Sequence, residues 1–469
     1  MTDESVTEPP DHVGRDGQRR LPSWRWEALR TTFWLVPTIL VGVACLLFLA
    51  TFEIDLAAYH RHLTLPFWAQ AGTADAGRQV LIAIAAAVIT VVGVVFSITI
   101  LALTLASQQF GPRMMRNFVR DLGNQVTLGV FVGTFVYAVL GLGSITSISH
   151  GDFVPRLSIT VAEALLLVDL AVLIYFIHHI AKSIQLPEVI AGIARDLMRA
   201  IDAEFPEQEV VLPASSRSGK SVSELLQLIE ERGVVAPADT SGYLQFVAYA
   251  QLVDIAARTD SVIRLNHRPG HFVVAGRPLA TVWPGGAAGQ VALSLTKANI
   301  TGPHRTLMQD PVFAIDQLVE IGIRALSPAV NDTFTALTCI DWLSAGLSRV
   351  SSRTLTEGVY RDRFGRVRLI ESDPSYSRMV NRAFDKVRQA ARGMPAVIIR
   401  MLDALSSIVE QTTSAEQQRV LVRQAEMILQ SAEESVPDAH DREDIRLRYD
   451  RFLAKTDLLN PEPEVEAGT

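Results

Sequence analysis

Between Val80 and Ala106 the chain runs for 27 positions without a charged residue or a proline. As an α-helix such a run is roughly 40 Å long, against a bilayer hydrocarbon core of about 30 Å. It is therefore expected to cross a membrane and project beyond it. One face of that helix differs from the rest. Thr90, Gly93, Ser97, Thr104 and Gln108 recur at spacings of three, four and seven, which puts them on one side, while the other positions are mostly Val, Ile, Leu, Ala and Phe. Hydroxyl and amide groups gain nothing from acyl chains, so this stripe should face another helix or water. Close packing through small residues and the lining of a hydrated pathway are both compatible with the pattern.

Three further apolar runs accompany this one. Phe33 to Phe52 has the length of one span, with Pro37 in its first turns, where a missing N–H costs little. Val126 to Ile145 carries Gly129, Gly133, Gly141 and Gly143, tolerable between packed membrane helices and costly in an exposed soluble one. Leu157 to Ile184 is the fourth. No small-residue cleavage site follows the first run, so it is expected to remain as an uncleaved anchor. Basic and indole groups precede that run at Arg19, Arg20, Trp24, Arg25, Trp26 and Arg30, and Arg113, Arg116 and Arg120 lie between the second and third runs. The other two loops hold only Arg61, Arg78 and Arg156, so the positive-inside rule predicts four spans with both termini in the cytoplasm.

The fourth run contains two carboxylates. Glu163 lies about two turns from the preceding loop and is placed to reach the interface, whereas Asp169 is deeper, where an ionisable group is a functional candidate by default. Six residues separate them, about 120° around a helix, so they cannot form one acid pair by themselves. His178 and His179 close the run, and an interfacial role suits them better than metal ligation. His60 and His62, in the loop after the first run, are a weaker ligand signal still.

A net charge of −7 and the lack of any dense Lys/Arg run set nucleic-acid binding aside. The two cysteines, Cys45 and Cys339, offer neither a disulfide framework nor metal spacing and read as small hydrophobes. No Walker loop, G-x-G-x-x-G after a strand, H-E-x-x-H, G-x-S-x-G or C-x-x-C occurs, so no enzymatic role and no cofactor are expected.

From Leu186 the composition is that of a soluble region about 285 residues long, enough for two subdomains. Glu188 to Phe205 reads as an amphipathic helix and Pro213 to Ser221 as a polar linker. A β-rich patch follows, over Tyr243 to Leu252, Asp260 to Asn266 and the segment after His267. There Gly270, Val273, Gly276 and Leu279 have the spacing of a biotinyl- or lipoyl-type hairpin without its acceptor lysine, which suggests a small structural β-barrel. Beyond Asn299, two amphipathic helices flank the turn SPAVND, with Asp332 placed to cap the second. Arg361 to Asp373 reads as a hairpin centred on Phe364 and Gly365, and Ser375 to Leu459 as three helices broken near Met394–Pro395 and Pro437–Asp438. The polar residues Arg305, Thr306, Gln309, Asp310, Ser327, Asn331, Asp332 and Asp341 either hold an ion or ligand or form a capping and hydrogen-bond network joining two helices.

Three stretches resemble a known family: VVFSITILALTLASQQFGPR at 94–113, GTFVYAVL at 133–140 and HRTLMQDPVFAIDQLVEIGIRALSPAVNDTFTALTCID at 304–341. They are similar to predicted bacterial membrane proteins catalogued as a domain of unknown function, DUF2254, over about residues 30–430. Thr333 stands where the family pattern has proline after Asn-Asp. The resemblance implies the membrane architecture and no activity.

The sequence therefore predicts a membrane α-helical protein of four transmembrane helices with a large cytoplasmic α+β domain. Its parts are a disordered tail and basic flank at 1–31, the membrane domain at 32–185, an α+β subdomain at 186–298, a mainly helical subdomain at 299–460 and a loose end at 461–469. The expected role is an oligomeric channel or transport protein for an inorganic ion, three or more copies in membrane lipid, with the second helix lining the pathway above a cytoplasmic vestibule. A non-conducting sensor or scaffold whose cytoplasmic domain binds a ligand or partner is the alternative.

Overall fold

The computed structural model describes residues 34–61, 73–110, 121–148, 151–205, 220–353, 358–371, 375–412 and 414–456. The basic flanks at 19–30 and 113–120, together with His62, lie outside the described residues. The chain divides into two compact units, the first ending at Val189 and the second beginning at Ile190.

In the first unit the uncharged runs become four helices: α1 (Leu35–Arg61), α2 (Ala74–Phe110), α3 (Leu122–Ser144) and α4 (Arg156–Ser183). A two-stranded antiparallel hairpin, β1 (Thr146–Ile148) with β2 (Gly151–Phe153), joins the last two. All four helices are long and apolar enough to cross a membrane. Large apolar side chains such as Leu46, Phe96, Leu167 and Ile174 cover the outside, a surface suited to acyl chains rather than water. Helix α3 is the central element: 44% of its apolar window is buried, about twice the share of any other span. Its glycines explain that position. A Cβ at Gly129 would meet Leu40 Cδ1 at 2.6 Å and Pro37 Cα at 3.0 Å, and one at Gly133 would meet Ala44 at 3.3 Å, so α1 lies against a groove that only glycine leaves open. From α2, the seven-residue row Leu81, Val88, Val95 and Ala102 is buried, as expected of a nearly straight helix packed along one seam.

The second unit begins within α5 (Leu186–Glu204), which buries Ile190, Ile193, Leu197 and Ile201, and continues with α6 (Val222–Arg232), capped by Ser221. Its strands are β3 (Val234–Pro237), β4 (Gly242–Val247), β5 (Val262–Leu265), β6 (Phe272–Val273), β7 (Pro278–Trp283), β8 (Asn299–Gly302), β9 (Val359–Arg361) and β10 (Val367–Glu371). They form two open sheets, β3-β7-β5-β10-β9 and β6-β4-β8, antiparallel throughout except for β5 beside β10. Helices α7 (Tyr249–Arg258) and α8 (Ala288–Ala298) share one apolar core with both sheets, where Leu252, Val291 and Leu295 meet Leu244, Ile263, Val282 and Leu369. The remaining helices are α9 (Pro311–Ala325), α10 (Thr333–Ser351), α11 (Tyr376–Ala390), α12 (Pro395–Val409), α13 (Ala415–Ser435) and α14 (Ala439–Leu453).

Three expectations change here. The glycine hairpin builds no barrel. Gly270 and Gly276 do take positive φ, but Val273 joins the three-stranded sheet and Leu279 the five-stranded one, because the turn between them lets the chain cross from one sheet to the other. Tyr249 to Leu252 is helical rather than extended, since the apolar spacing of Leu252 and Ala256 buries one face of α7. The C-terminal segment forms four helices, because a further break ends α12 near Thr412 and α13 starts after Ser414.

Candidate functional site

Thr90, Gly93, Ser97 and Thr104 all lie on the exposed side of α2, roughly opposite its buried row. The Thr90, Ser97 and Thr104 hydroxyls each donate to the carbonyl four residues back, Ala86, Gly93 and Ile100, at 2.7, 2.8 and 2.8 Å. Beside Gly93 there is open space, with no atom within 4 Å of an added Cβ. Among the described residues the stripe is therefore no packing face, and its hydroxyl oxygens keep their outward lone pairs. The Gln108 side chain lies outside the described residues.

The interior carries the other polar groups. Asp169 is buried, and its Oδ1 accepts the Thr134 hydroxyl of α3 at 3.1 Å, while Oδ2 has no partner among the described residues. Glu163 points to the outside, as its angular separation from Asp169 requires. At the start of α3, Asp121 caps the helix through the Asn124 N–H and meets His179 Nε2 at 2.8 Å; His178 is exposed. Asn124 and Thr127 are buried one and two turns further along. At the opposite end Asp55 of α1 accepts the Leu157 and Ser158 N–H groups and the Ser158 hydroxyl at 2.8–2.9 Å, and Ser158 continues through Thr51 to the Tyr137 hydroxyl. Sequence reasoning missed Asp55 by ending the first span at Phe52. The apolar periodicity of Leu56, Ala57 and Ala58 past that acid was the available signal.

In the second unit the predicted polar cluster separates into four arrangements. Arg305 pairs with Asp310 at 2.7 Å and with Asp316 at 2.6 Å, its guanidinium lying over the Phe313 ring. Burial raises the Asp310 carboxyl above its ordinary value despite that cation. Gly270, at φ 90°, gives Asp310 its room, since a Cβ there would collide with the carboxylate. Gln309 clamps Val247, accepting its N–H at 2.8 Å and donating to its C=O at 3.0 Å. Ser327 donates to the Arg324 carbonyl, Asn331 takes φ 51°, and Asp332 caps α10 by accepting the Thr335 N–H at 3.1 Å. Asp341 sits apart, paired with Arg400 at 3.4 Å on the surface. Among the described residues no three His, Cys, Asp or Glu side chains are grouped to hold a metal ion.

One site went unread in the sequence. A cleft of about 1000 Å³ opens between α7 and the β9–β10 hairpin, where Tyr249 and Tyr360 stack with centroids 4.8 Å apart and both donate to Glu371. Burial, reinforced by the Glu371 charge, holds both phenols far above their ordinary value. Tyr249 is more than a hundred residues from the other two, which share the β9–β10 hairpin, so the cluster forms only when that hairpin joins the sheet through the pairing of β5 with β10.

A family model described as "Predicted membrane protein (DUF2254)" matches residues 30–407. The chain belongs to that family. It is a membrane protein by that family description and by its four apolar helices, and uncharacterized proteins of Mycobacterium bovis and of two Mycobacterium tuberculosis strains are 32% identical to it over 377 residues, 79% of this chain and 71% of theirs. No solved structure matches it. The DUF2254 stretch at 304–341 holds the Arg305 knot, the Gln309 clamp and the Asp332 cap, so its polar residues have structural work, and Thr333 in place of proline leaves the cap intact.

Proposed function

We propose that the protein is an oligomeric channel or transport protein of the bacterial inner membrane, with α2 lining the pathway and the second unit in the cytoplasm. The observation that carries this reading is the exposed stripe of Thr90, Gly93, Ser97 and Thr104, whose hydroxyls bond only to their own helix and which meets no other helix among the described residues. A single copy cannot enclose such a stripe. A closed ring of three or more copies turns it inward and removes it from lipid. With each O–H returned to its own helix, the outward oxygens act only as acceptors, so the transported species is an inorganic cation.

Particle mass in lipid nanodiscs tests the assembly. In a cysteine-free background (C45A, C339A), Ser97→Cys and Thr104→Cys are expected to react with a charged, water-soluble thiol reagent and lose cation flux in liposomes, whereas Phe96→Cys, on the lipid side, stays unreactive. A monomeric or dimeric particle with unreactive stripe cysteines would instead identify a non-conducting scaffold.

A further inference from the structure

The buried polar groups of the first unit form a column carried by α1, α3 and α4. At one end Asp55, Ser158, Thr51 and Tyr137 make a continuous chain of hydrogen bonds of 2.8, 3.2 and 2.8 Å. At the other, Asp121 meets His179 at 2.8 Å. Between them α3 presents Thr134, Thr127 and Asn124, all buried and within a sector about 80° wide. Sixteen residues separate Asp121 from Tyr137, about 24 Å of helix against a hydrocarbon core of about 30 Å.

This column is not saturated. Asp169 Oδ2, Thr127 Oγ1 and both amide atoms of Asn124 are buried without a hydrogen-bond partner among the described residues. Apolar side chains at these positions would pack α3 on α4 without that penalty, and polar atoms left bare in hydrocarbon call for a mobile hydrogen-bonding partner. Thr134 meets Asp169, and Gly123 backs onto the His179 ring, which fixes an antiparallel register that sets Thr127 opposite the fully buried Phe176. An aromatic side chain therefore stands between Asp169 and His179.

We propose that the column is a proton path through a single protomer, with Asp169 as its mid-membrane carrier, water bridging the gaps and Phe176 as the constriction. A proton delivered from the Asp121–His179 end forms an O–H bond on Asp169 and leaves it as the neutral acid. Its release passes one proton along Tyr137, Thr51 and Ser158 to Asp55: the Thr51 hydroxyl, which donates to the Phe48 carbonyl and accepts from Ser158, turns to donate to Ser158, and Ser158 keeps its donation to Asp55, so that each hydroxyl gains one proton as it gives one up. One proton moves, no electrons move, and the gradient or membrane potential supplies the driving force. From the packed helices, the titratable groups nearest the level of Asp169 are Cys45 on α1, Tyr137 on α3 and both Glu163 and Tyr175 on α4, and α2 has none between Arg78 and Phe110. This path needs no oligomer and does not depend on the α2 stripe.

The test uses the full chain in liposomes loaded with a pH dye, with a valinomycin-clamped potassium gradient driving proton entry. Uptake above that of protein-free liposomes is expected, reduced about tenfold in Asp169→Asn, partly kept in Asp169→Glu and increased in Phe176→Ala. The infrared carbonyl stretch of a protonated carboxylic acid should be present in the wild type and lost in Asp169→Asn. Ser97→Trp and Thr104→Trp, which obstruct the α2 face, should leave proton uptake unchanged, so loss of cation flux alone counts only against the α2 pathway. Uptake no greater than in protein-free liposomes, uptake unaltered in Asp169→Asn, or uptake abolished by the α2 substitutions overturns the proposal. If Asp169→Asn does not fold, unchanged uptake in both Asp169→Glu and Phe176→Ala overturns it equally.

Discussion

Asp55 caps a helix that begins a hundred residues later: its Oδ2 accepts both the backbone N–H and the hydroxyl of Ser158, at 2.9 and 2.8 Å. The first N–H groups of α4 have no partner within their own helix, and Pro155 at the cap position makes no side-chain hydrogen bond, so α1 supplies the acceptor. Asp55→Ala leaves those N–H groups and the Ser158 hydroxyl unsatisfied in a buried site and is expected to cost about 2–3 kcal/mol. Asp55→Asn, which keeps one acceptor oxygen, should lose less. Fluorescence-detected thermal unfolding in detergent would show the order wild type, Asn, Ala.

The glycine groove of α3 gives a second prediction. Gly129→Val places branched carbons against Leu40 and the backbone of Pro37, both already at contact distance from an added Cβ. Helix α1 must move away, at a cost of about 1–3 kcal/mol. Gly143→Val is the control, because a Cβ there meets nothing within 4 Å. Monodispersity and melting temperature in detergent should fall for the first variant and hold for the second.

Why some of this was legible in the sequence and some was not follows from the range of the interactions. The four spans were readable because uncharged length is a local property, and their boundaries moved only by a few residues, except at α1, where Asp55 and Glu53 seemed to end a helix that continues to Arg61. The Asp332 cap and the Gly365 turn were equally local. The orientation of the Thr90 stripe was not, since periodicity groups residues on a face without saying what the face meets. The same limit hid the partners of Asp169, the Arg305–Asp316 pair and the split of the β hairpin between two sheets, each of which depends on distant segments arriving together.

Arg305 joins the loop before α9 to two carboxylates, and all three side chains are largely buried. Arg305→Ala leaves Asp310 and Asp316 without their shared cation, Asp316 keeping Arg382 at 3.4 Å. The expected loss is about 3–5 kcal/mol. Arg305→Lys keeps the charge but cannot fork to both acids, so it should fall between. Chemical denaturation followed by tryptophan fluorescence would rank the variants.

Cys339 is buried on α10, and burial, aided by the nearby Asp332 carboxylate, pushes its thiol up to about 12. Only the thiolate attacks maleimides quickly, so at pH 8 in a Cys45→Ala background the folded protein should remain unlabelled. Labelling should become complete in denaturant. Mass spectrometry reads both states, and rapid labelling of the folded chain would contradict the packing of α10 described above.

His271 gives the pH dependence. Burial, then the Arg268 and Arg378 cations, lower its imidazole to about 4, and its Nε2 lies 3.2 Å from Arg378 Nη1, which a neutral ring accepts and a protonated ring repels. The unfolded ring has its ordinary value of about 6.5, so between about 6.5 and 4 the unfolded chain binds the proton that the folded one refuses. A lowered imidazole thus stabilises the fold fully above about 6.5, and that contribution drains away as pH falls toward about 4. Melting temperatures at pH 7 and pH 4.5 should differ more in the wild type than in His271→Gln, whose uncharged amide keeps an acceptor for Arg378 at both values. An equal difference in the two proteins would mean that the ring is already charged in the fold, and that Arg378 is held by another group.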